Sequence, residues 1–426
     1  MTLAEWLAYI ERQHPKSIDM GLDRVRGVAA ALGLGRPARR VVTVGGTNGK
    51  GSTVAFIEAI AREAGWRVGA YISPHLLTYN ERVRIDGADA GDAALVEAFE
   101  AVERARGDVP MTYFEYGTLA ALWLFERADL DLAILEVGLG GRLDATNIVD
   151  PDVAVITTVD LDHQDWLGND LETIGFEKAG IARAWKPLVL GDDDPPSSVL
   201  GRAYAIGASA VRIGCDFFFD PAPEDAADGH WRWREVGHAI DLPMPRLAAP
   251  AQLRNAAVAI AALRALDVEG DAIGDGAIAR GIATAHVPGR LQRFERDGVE
   301  VVVDVGHNPQ AARELAAWLQ ATPAAGTTRA IYAVLGDKDA AGVVAALAGG
   351  VDDWHLAGLA GHPPRGTDVD AFAARLADTV AAAGTRHVDV ASALDAVLAQ
   401  AGHGDRILVF GSFHTAAAAL EWLGRA

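Results

Sequence analysis

The chain has 426 residues, half of them hydrophobic, with a formal charge of −20 and a sequence isoelectric point of about 5.0. At about 150 residues per domain that length implies two or three domains, each burying its own core, and the apolar content excludes a globally disordered chain. The acidic balance excludes a nucleic-acid coat or an anionic membrane surface as partner, although a phosphate can still bind where local amides, a lysine and a metal offset the field.

The opening MTLAEWLAYIERQ sets Leu3, Trp6, Leu7 and Ile10 at helical spacing with Glu5 and Glu11 between them, unlike a signal peptide with its basic start and apolar run. RRVVTV is a β-branched strand leading to GGTNGKGS, then to a helix whose Phe56, Ile57, Ile60 and Ala64 share a face and whose end is marked by Gly65. WRVGAYI is the next strand, ending at Ser73-Pro74. A helix is predicted from Asp92, with Leu95, Phe99 and Val102 inward, and TYFEYGTLAALWLF, apolar on nearly every face, predicts a buried helix. LDLAILEV and PDVAVITTV are apolar throughout, as strands of a sheet covered on both faces must be. Strand and helix alternate in parallel βαβ fashion, so an α/β fold with a doubly wound N-terminal sheet is expected.

Residues 192–245 are turn-rich, and the tryptophans of HWRWREV suggest a small antiparallel excursion there. The same stretch holds the only cysteine, Cys215, which cannot form an internal disulfide and suits a reducing compartment. No segment is long and apolar enough to span a bilayer, so a cytoplasmic location is expected. An alanine-rich helix is predicted over 252–266. Near Val287-Pro288-Gly289 the alternation restarts, which divides the chain into domains 1–286 and 287–426. Strands VEVVVDV, RAIYAVL, WHLAGL, HVDVA and DRILVFG are predicted for the second domain, a smaller Rossmann-like α/β unit.

The glycine loop departs from the usual phosphate-loop spelling G-x-x-x-x-G-K-[ST]: Val44 stands where the first glycine belongs, Gly51 follows Lys50, and the hydroxyl Ser52 comes one place late. Its context nevertheless favours a phosphate cradle. A strand precedes it, a helix follows it, and glycines at 45, 46, 49 and 51 let backbone N–H groups converge on an anion at the helix N-terminus, with Lys50 adding a full charge. An ordinary strand-to-helix turn needs neither four glycines nor the lysine. A dinucleotide fingerprint fits less well, since neither GGTNGKG nor GLGGRLD spells G-x-G-x-x-G.

Other candidates fall at the carboxyl ends of the same strands, where an open α/β sheet places its ligands. Glu136, followed by the flexible GLGGR, suits a carboxylate reaching a phosphate-bound Mg²⁺, and equally a solvated or paired strand-end charge. Ser73 and Asp162-His163 occupy equivalent ends, where a solitary serine or histidine is more often structural. Lys178, in FEKAGIA, reads on its own as a snorkelling helix lysine.

Taken in order, GTNGKGS, SPHL, ERVRIDG, TYFEYGTLAALWLF, EVGLGGRLDATNIV, LDHQDWLG, EKAGI, HVPGRLQ, DVGHNP and GSFHT resemble the folylpolyglutamate synthase family of bifunctional dihydrofolate synthases/folylpolyglutamate synthases. The resemblance runs through the whole chain and is densest over 41–182. GTNGKGS alone would indicate only the wider superfamily of ATP-dependent amide ligases, the Mur-type ligases of peptidoglycan precursors included. The resemblance implies an N-terminal P-loop ATPase-type domain in which Thr47, Asn48, Gly49, Lys50, Gly51 and Ser52 meet ATP phosphates, with Asn255, Arg290 and Asp304 completing the ATP site between domains. It implies Ser73, Glu136 and His163 as metal ligands for Mg²⁺, with Mn²⁺ an alternative because histidine is unusual for Mg²⁺. It further implies Lys178 carried as a carbamate, which turns a cation into an anionic oxygen ligand.

Asp19, Met20, Gly21 and Leu22, then Thr112, Tyr113, Phe114 and Glu115, and Leu143, Asp144 and Ala145, match pterin-binding segments, with Phe114 a stacking surface. Glutamate is expected on the second domain, near His307 and Ser412. Gly306 stands where alanine is common in the family, a change expected to leave the turn intact; GDKD, residues 336–339, carries no chemical assignment. The implied activity is ATP-dependent ligation of L-glutamate to dihydropteroate and to reduced folates, through an acyl phosphate, by a monomer. An amide ligase for another acid and a nucleotide-binding regulatory module stand as alternatives.

Overall fold

The computed structural model describes residues 1–16, 18–224, 227, 229–247, 249–266, 273–361 and 365–425. The chain forms two units, one of Met1–Arg246 with Gln252–His286, the other of Leu247–Ala251 with Val287–Ala426. Each is a separate α/β body with its own core.

The first unit starts with helices α1 (Leu3–Ile10) and α2 (Asp23–Leu32). Then come β1 (Arg40–Gly45), α3 (Lys50–Glu63), β2 (Val68–Tyr71), β3 (Val83–Ile85), β4 (Ala88–Asp89), α4 (Asp92–Arg106), α5 (Tyr113–Arg127), β5 (Leu132–Glu136) and β6 (Val153–Ile156). The chain continues through α6 (Gln164–Leu167), α7 (Leu171–Ala179), β7 (Pro187–Leu190), α8 (Ser197–Ile206) and β8 (Ser209–Arg212). These strands make one eight-stranded sheet in the order β4-β3-β2-β5-β1-β6-β7-β8. Pairing is parallel from β2 to β8, and at one edge β3 pairs antiparallel with both β2 and β4. Part of the sheet packs Tyr71, Ala133 and Leu135 against helices α4 and α5, and β6 and β7 pack Ile156 and Leu190 against Ile174 of α7 and Val199 of α8.

Helix α5 is buried from Glu115 to Phe125, as its apolar circumference requires, and Thr112 with Glu115 closes a capping box at its start. Helix α3 is buried on more than the single predicted face, because α10 (Asp275–Thr284) lies along it. The excursion is the three-stranded antiparallel sheet of β9 (Phe217–Asp220), β10 (His230–Glu235) and β11 (His238–Pro243). It is pinned to α9 (Ala251–Arg264), where the fully buried Trp233 donates its indole N–H to the Ala257 carbonyl at 3.1 Å. No described helix is long and apolar enough to cross a membrane.

The second unit runs β12 (Gln292–Arg296), β13 (Val299–Val303), α11 (Pro309–Ala321), β14 (Thr328–Tyr332), α12 (Ala340–Leu347) and β15 (Asp353–Ala357). It ends with α13 (Val369–Ala374), β16 (Thr385–His387), α14 (Val390–Leu398), β17 (Arg406–Phe410) and α15 (Phe413–Arg425). Its sheet order is β12-β13-β17-β14-β15-β16, parallel except for the edge strand β12. Tyr332 and Phe410 stack at its centre, 4.8 Å between ring centroids. HVDVA is not the strand it was expected to be. β16 ends at His387, and the Asp389 carboxylate accepts the Ser392 N–H at 2.8 Å, which starts α14 one residue later.

Candidate active site

The loop between β1 and α3 sits where its composition demands. Gly46 (φ 143°) and Gly49 (φ 85°) adopt backbone conformations closed to ordinary residues. A Cβ on Gly46 would collide with the Thr157 hydroxyl, and one on Gly49 would lie 2.5 Å from Asn255 Oδ1. The end of β6 braces the loop from beneath. Thr47 N–H donates to the Thr158 carbonyl at 2.8 Å, Asn48 N–H to the Thr158 hydroxyl at 3.1 Å, and the Thr157 hydroxyl to the Asn48 carbonyl at 2.6 Å. Asp160 N–H donates to the Thr47 hydroxyl at 3.0 Å. Lys50 Nζ curls back to the Gly46 and Thr47 carbonyls, at 3.0 and 3.2 Å. Asn255 is buried, donating to Gln252 Oε1 at 3.1 Å. Gly51 and the buried Ser52 lie in the first turn of α3.

Glu136, at the end of β5, is only 4% exposed, and its Oε2 accepts the Ser73 N–H at 2.9 Å. Its Oε1 would stand 3.8 Å from a Cβ on Gly51, so the carboxylate faces the positive end of α3. The structure thus brings Ser73, Glu136 and the glycine loop together. His163 stands at the head of α6, on the segment after β6, with its ring Nε2 3.8 Å from Asp162 Oδ2.

Lys178 is not the snorkelling lysine that its neighbours suggested. It is 4% exposed, and burial together with the nearby Lys50 ammonium lowers its pKa to about 7, against the opposing pull of Asp162. An amine held near neutrality is a nucleophile, whereas the ammonium of an ordinary lysine is not.

The three predicted pterin segments converge. Arg24, which the sequence reading missed, donates to Asp19 Oδ2 at 2.5 Å and to Glu115 Oε1 at 3.0 Å, and so ties the first segment to the second. Glu115 turns its other oxygen to the Thr112 N–H at 2.8 Å. Phe114 lies against Gly138, whose Cβ would sit 2.7 Å from the ring, and Met20 lies against Gly140, at 3.6 Å by the same measure. Tyr113 stands edge-on to Tyr79, 5.8 Å between centroids, with the Arg82 guanidinium over both rings. Leu143 and Ala145 flank Asp144, whose carboxylate is spent inside the loop on the N–H groups of Gly138, Leu139 and Thr146. Burial raises its pKa in spite of those donors.

In the second unit the buried Asp304 follows β13 and accepts from the N–H groups of Leu291 (2.9 Å) and Gly306 (2.6 Å). Burial raises its pKa and the Arg290 charge opposes the rise. A Cβ at Gly306 would lie 2.9 Å from Asp304 Oδ1, so glycine here is what lets the carboxylate cap the turn this closely. Arg290 lies 5.7 Å from the Phe413 ring centroid, and His307 Nδ1 is 3.0 Å from the Val305 carbonyl. Ser412 is buried at the start of α15, accepting the Thr415 N–H at 3.0 Å. That gives it a helix-capping role. In GDKD, Asp339 likewise caps α12 through the Gly342 N–H at 2.9 Å.

Comparison with known proteins bears on both units. Residues 44–263 match the family described as Mur ligase middle domain, and residues 289–413 that described as Mur ligase, glutamate ligase domain. The chain is 47% identical to the dihydrofolate synthase/folylpolyglutamate synthase of Escherichia coli K12, over 98% of this chain and 95% of that one. It is 40% identical to the enzyme of the same name from Haemophilus influenzae, over 97% and 96%. Among solved structures, E. coli FolC in complex with DHPP and ADP superposes with a TM-score of 0.92 at 46% identity, covering 100% of this chain and 98% of that one. A bifunctional folylpolyglutamate synthase/dihydrofolate synthase with Mn, AMPPNP and L-glutamate bound gives 0.90 at 43%, with the same coverage.

Proposed function

The chain belongs to the dihydrofolate synthases/folylpolyglutamate synthases of the Mur ligase family, and from that premise we propose how its own residues carry out the family's chemistry. The chain is an ATP-dependent acid–amino acid ligase that joins L-glutamate to dihydropteroate and to reduced folates. The observation that carries the reading is the loop 46–52. It has left-handed glycines, a lysine and a helix N-terminus, and it faces the buried Glu136 carboxylate at the end of the adjacent strand.

A carboxylate is a poor acyl donor. One oxygen of the substrate carboxylate therefore attacks the γ-phosphorus of ATP and the bond to the β-phosphate bridging oxygen breaks, giving an acyl phosphate and ADP. The glutamate amine then adds to the acyl carbon, loses its proton and expels inorganic phosphate, leaving the amide. Gly49, Lys50, Gly51 and Ser52 at the head of α3 are assigned to hold the phosphates and stabilise the charge that develops on the transferred group, while Thr47 and Asn48, whose N–H groups are bonded to Thr158, shape the loop. Asn255 fixes the loop from α9, and Arg290 and Asp304 are assigned to the nucleotide.

Ser73, Glu136 and His163 are assigned as ligands of Mg²⁺ or Mn²⁺, joined by Lys178 as a carbamate. The fit is chemical: a buried carboxylate beside the phosphate loop is a hard oxygen donor of the kind Mg²⁺ and Mn²⁺ take, and a buried amine with its pKa near 7 can take up carbon dioxide. When bound, such an ion supplies charge neutralisation at the phosphoryl oxygens. The segments at Asp19, Thr112 and Leu143 hold the pteridine acid, with Phe114 as the stacking face, and His307 is assigned to glutamate, while Ser412 caps α15 through Thr415. A cytoplasmic location fits the lone Cys215. The test is phosphate release from ATP. Release that requires dihydropteroate and glutamate together supports the reading; release with a different acid, or with none, overturns it.

A further inference from the structure

The pterin loop and the helix that carries Lys178 are stitched together by residues to which the sequence assigned no role. Asn147, in the short 3-10 turn Ala145–Ile148, is 4% exposed and donates its amide to the Arg142 carbonyl (3.0 Å) and the Gly180 carbonyl (3.2 Å). Arg183, just past the end of α7, spans both sides of that junction. One terminal nitrogen, Nη2, donates to the Asn147 carbonyl and side-chain oxygen at 3.1 and 3.0 Å, and the other, Nη1, donates to the Ile181 carbonyl at 3.1 Å. Its Nε pairs with the exposed carboxylate of Asp150. The backbones touch as well: Arg142 N–H donates to the Glu177 carbonyl at 2.8 Å, and a Cβ on Gly141 would stand 3.0 Å from the carbonyls of Glu177 and Lys178.

We propose that Arg183 and Asn147 are positioning residues for the reaction: together they set the height of the acid-substrate loop, Leu143 to Ala145, against the backbone of Lys178. The inference rests on the assignment of that loop to the pteridine acid. A rigid planar fork suits the task, because it holds the Ile181 carbonyl just past α7 and the oxygens of Asn147 in the 3-10 turn at fixed angles, which a lysine ammonium cannot do. Neither side chain touches the nucleotide loop, which is braced instead by Thr157, Thr158 and Asp160. A shift of the clamp therefore moves the acid relative to the phosphoryl group and leaves the ATP seat in place.

The test compares wild type with Arg183→Lys, Asn147→Ala and Asp150→Asn, by steady-state kinetics with each substrate varied and by equilibrium binding of a non-hydrolysable ATP analogue. Arg183→Lys and Asn147→Ala should raise the KM for dihydropteroate or lower kcat by about tenfold or more, since a displacement of about 1 Å near the reacting atoms is that costly. Affinity for the ATP analogue should stay within about twofold of wild type. Asp150→Asn, which removes only the exposed partner, should behave as wild type. Unchanged dihydropteroate kinetics in Arg183→Lys overturn the proposal, as does a parallel loss of ATP-analogue affinity, which would mark the residue as merely structural. Should wild type itself release no phosphate with dihydropteroate and glutamate, the functional reading fails, and that outcome is visible before any variant is made.

Discussion

Replacing Gly49 by alanine puts the architecture of the phosphate loop to a quantitative test. The residue has φ 85° and ψ −10°, a left-handed conformation that costs an alanine about 1–2 kcal/mol. The new Cβ would also lie 2.5 Å from Asn255 Oδ1, well inside van der Waals contact. Asn255 is 6% exposed and bonded to Gln252, so moving it strands a buried amide at about 1–3 kcal/mol. The two costs together come to about 2–5 kcal/mol. Gly33→Ala is the internal control: it has φ 67° and nothing within 4 Å of its Cβ, so only the backbone cost of about 1–2 kcal/mol applies. Urea unfolding of both variants gives the difference, and a Gly49→Ala/Asn255→Ala double mutant should recover the steric part, with a coupling of about 1 kcal/mol or more. If Gly49→Ala costs no more than Gly33→Ala and the double mutant is additive, the claimed contact between the loop and α9 does not exist in solution.

Four further outcomes are expected. Lys50→Ala should leave the unfolding transition in place and abolish turnover; normal turnover would contradict the phosphate-seat assignment. Lys178→Met should also abolish turnover, and the wild-type protein purified with bicarbonate should show an intact mass higher by one carbon dioxide; an unmodified amine in active enzyme rejects the carbamate. Arg183→Lys should shift the dihydropteroate kinetics while sparing ATP-analogue binding, as set out above. Asp405 is held near pKa 2, below the usual 3.8, by the N–H groups of Gly402 and Thr327 and then by Arg329. The unfolded state therefore binds its proton first as pH falls. The stabilisation, about 2 kcal/mol, is complete above about pH 4 and is lost between there and about pH 2, which urea titrations of wild type and Asp405→Asn should reveal.

How much could be read from the residues differed by element. Strands β1, β2, β5 and β6 of the first sheet and β13, β14, β15 and β17 of the second were legible as apolar runs, because a parallel strand covered on both faces has no other way to be written, whereas the four-residue β7 and β8 were passed over. The short outer elements were not: β4 and β12 are edge strands, β12 with charges such as Arg293, and β3, one place in, carries Arg84 ion-paired to Glu58, so none shows the apolar signature. Helix α2 holds Gly27 in mid-course and gave no clear period. HVDVA shows alternation losing to a cap, since an aspartate placed before a run of helix formers starts a helix whatever the preceding residues prefer.

At the site, the phosphate loop declared itself through its glycines. The depth of Lys178 did not, because burial is decided by packing against distant segments. Arg24 and Arg183 were missed for a related reason: their partners lie on other segments, at residues such as Glu115 and Asn147, and no local spacing announces such a meeting. The polar tail of an otherwise apolar strand, TTVD, was the available hint that Thr157, Thr158 and Asp160 brace the loop.

The strand order carries one last implication. β1 lies in the interior of its sheet, flanked by β5 and β6, while the β3–β4 hairpin lies at the rim. Amide hydrogens beneath the triphosphate seat should consequently exchange only when the whole unit unfolds, whereas those of the hairpin should exchange through small local openings.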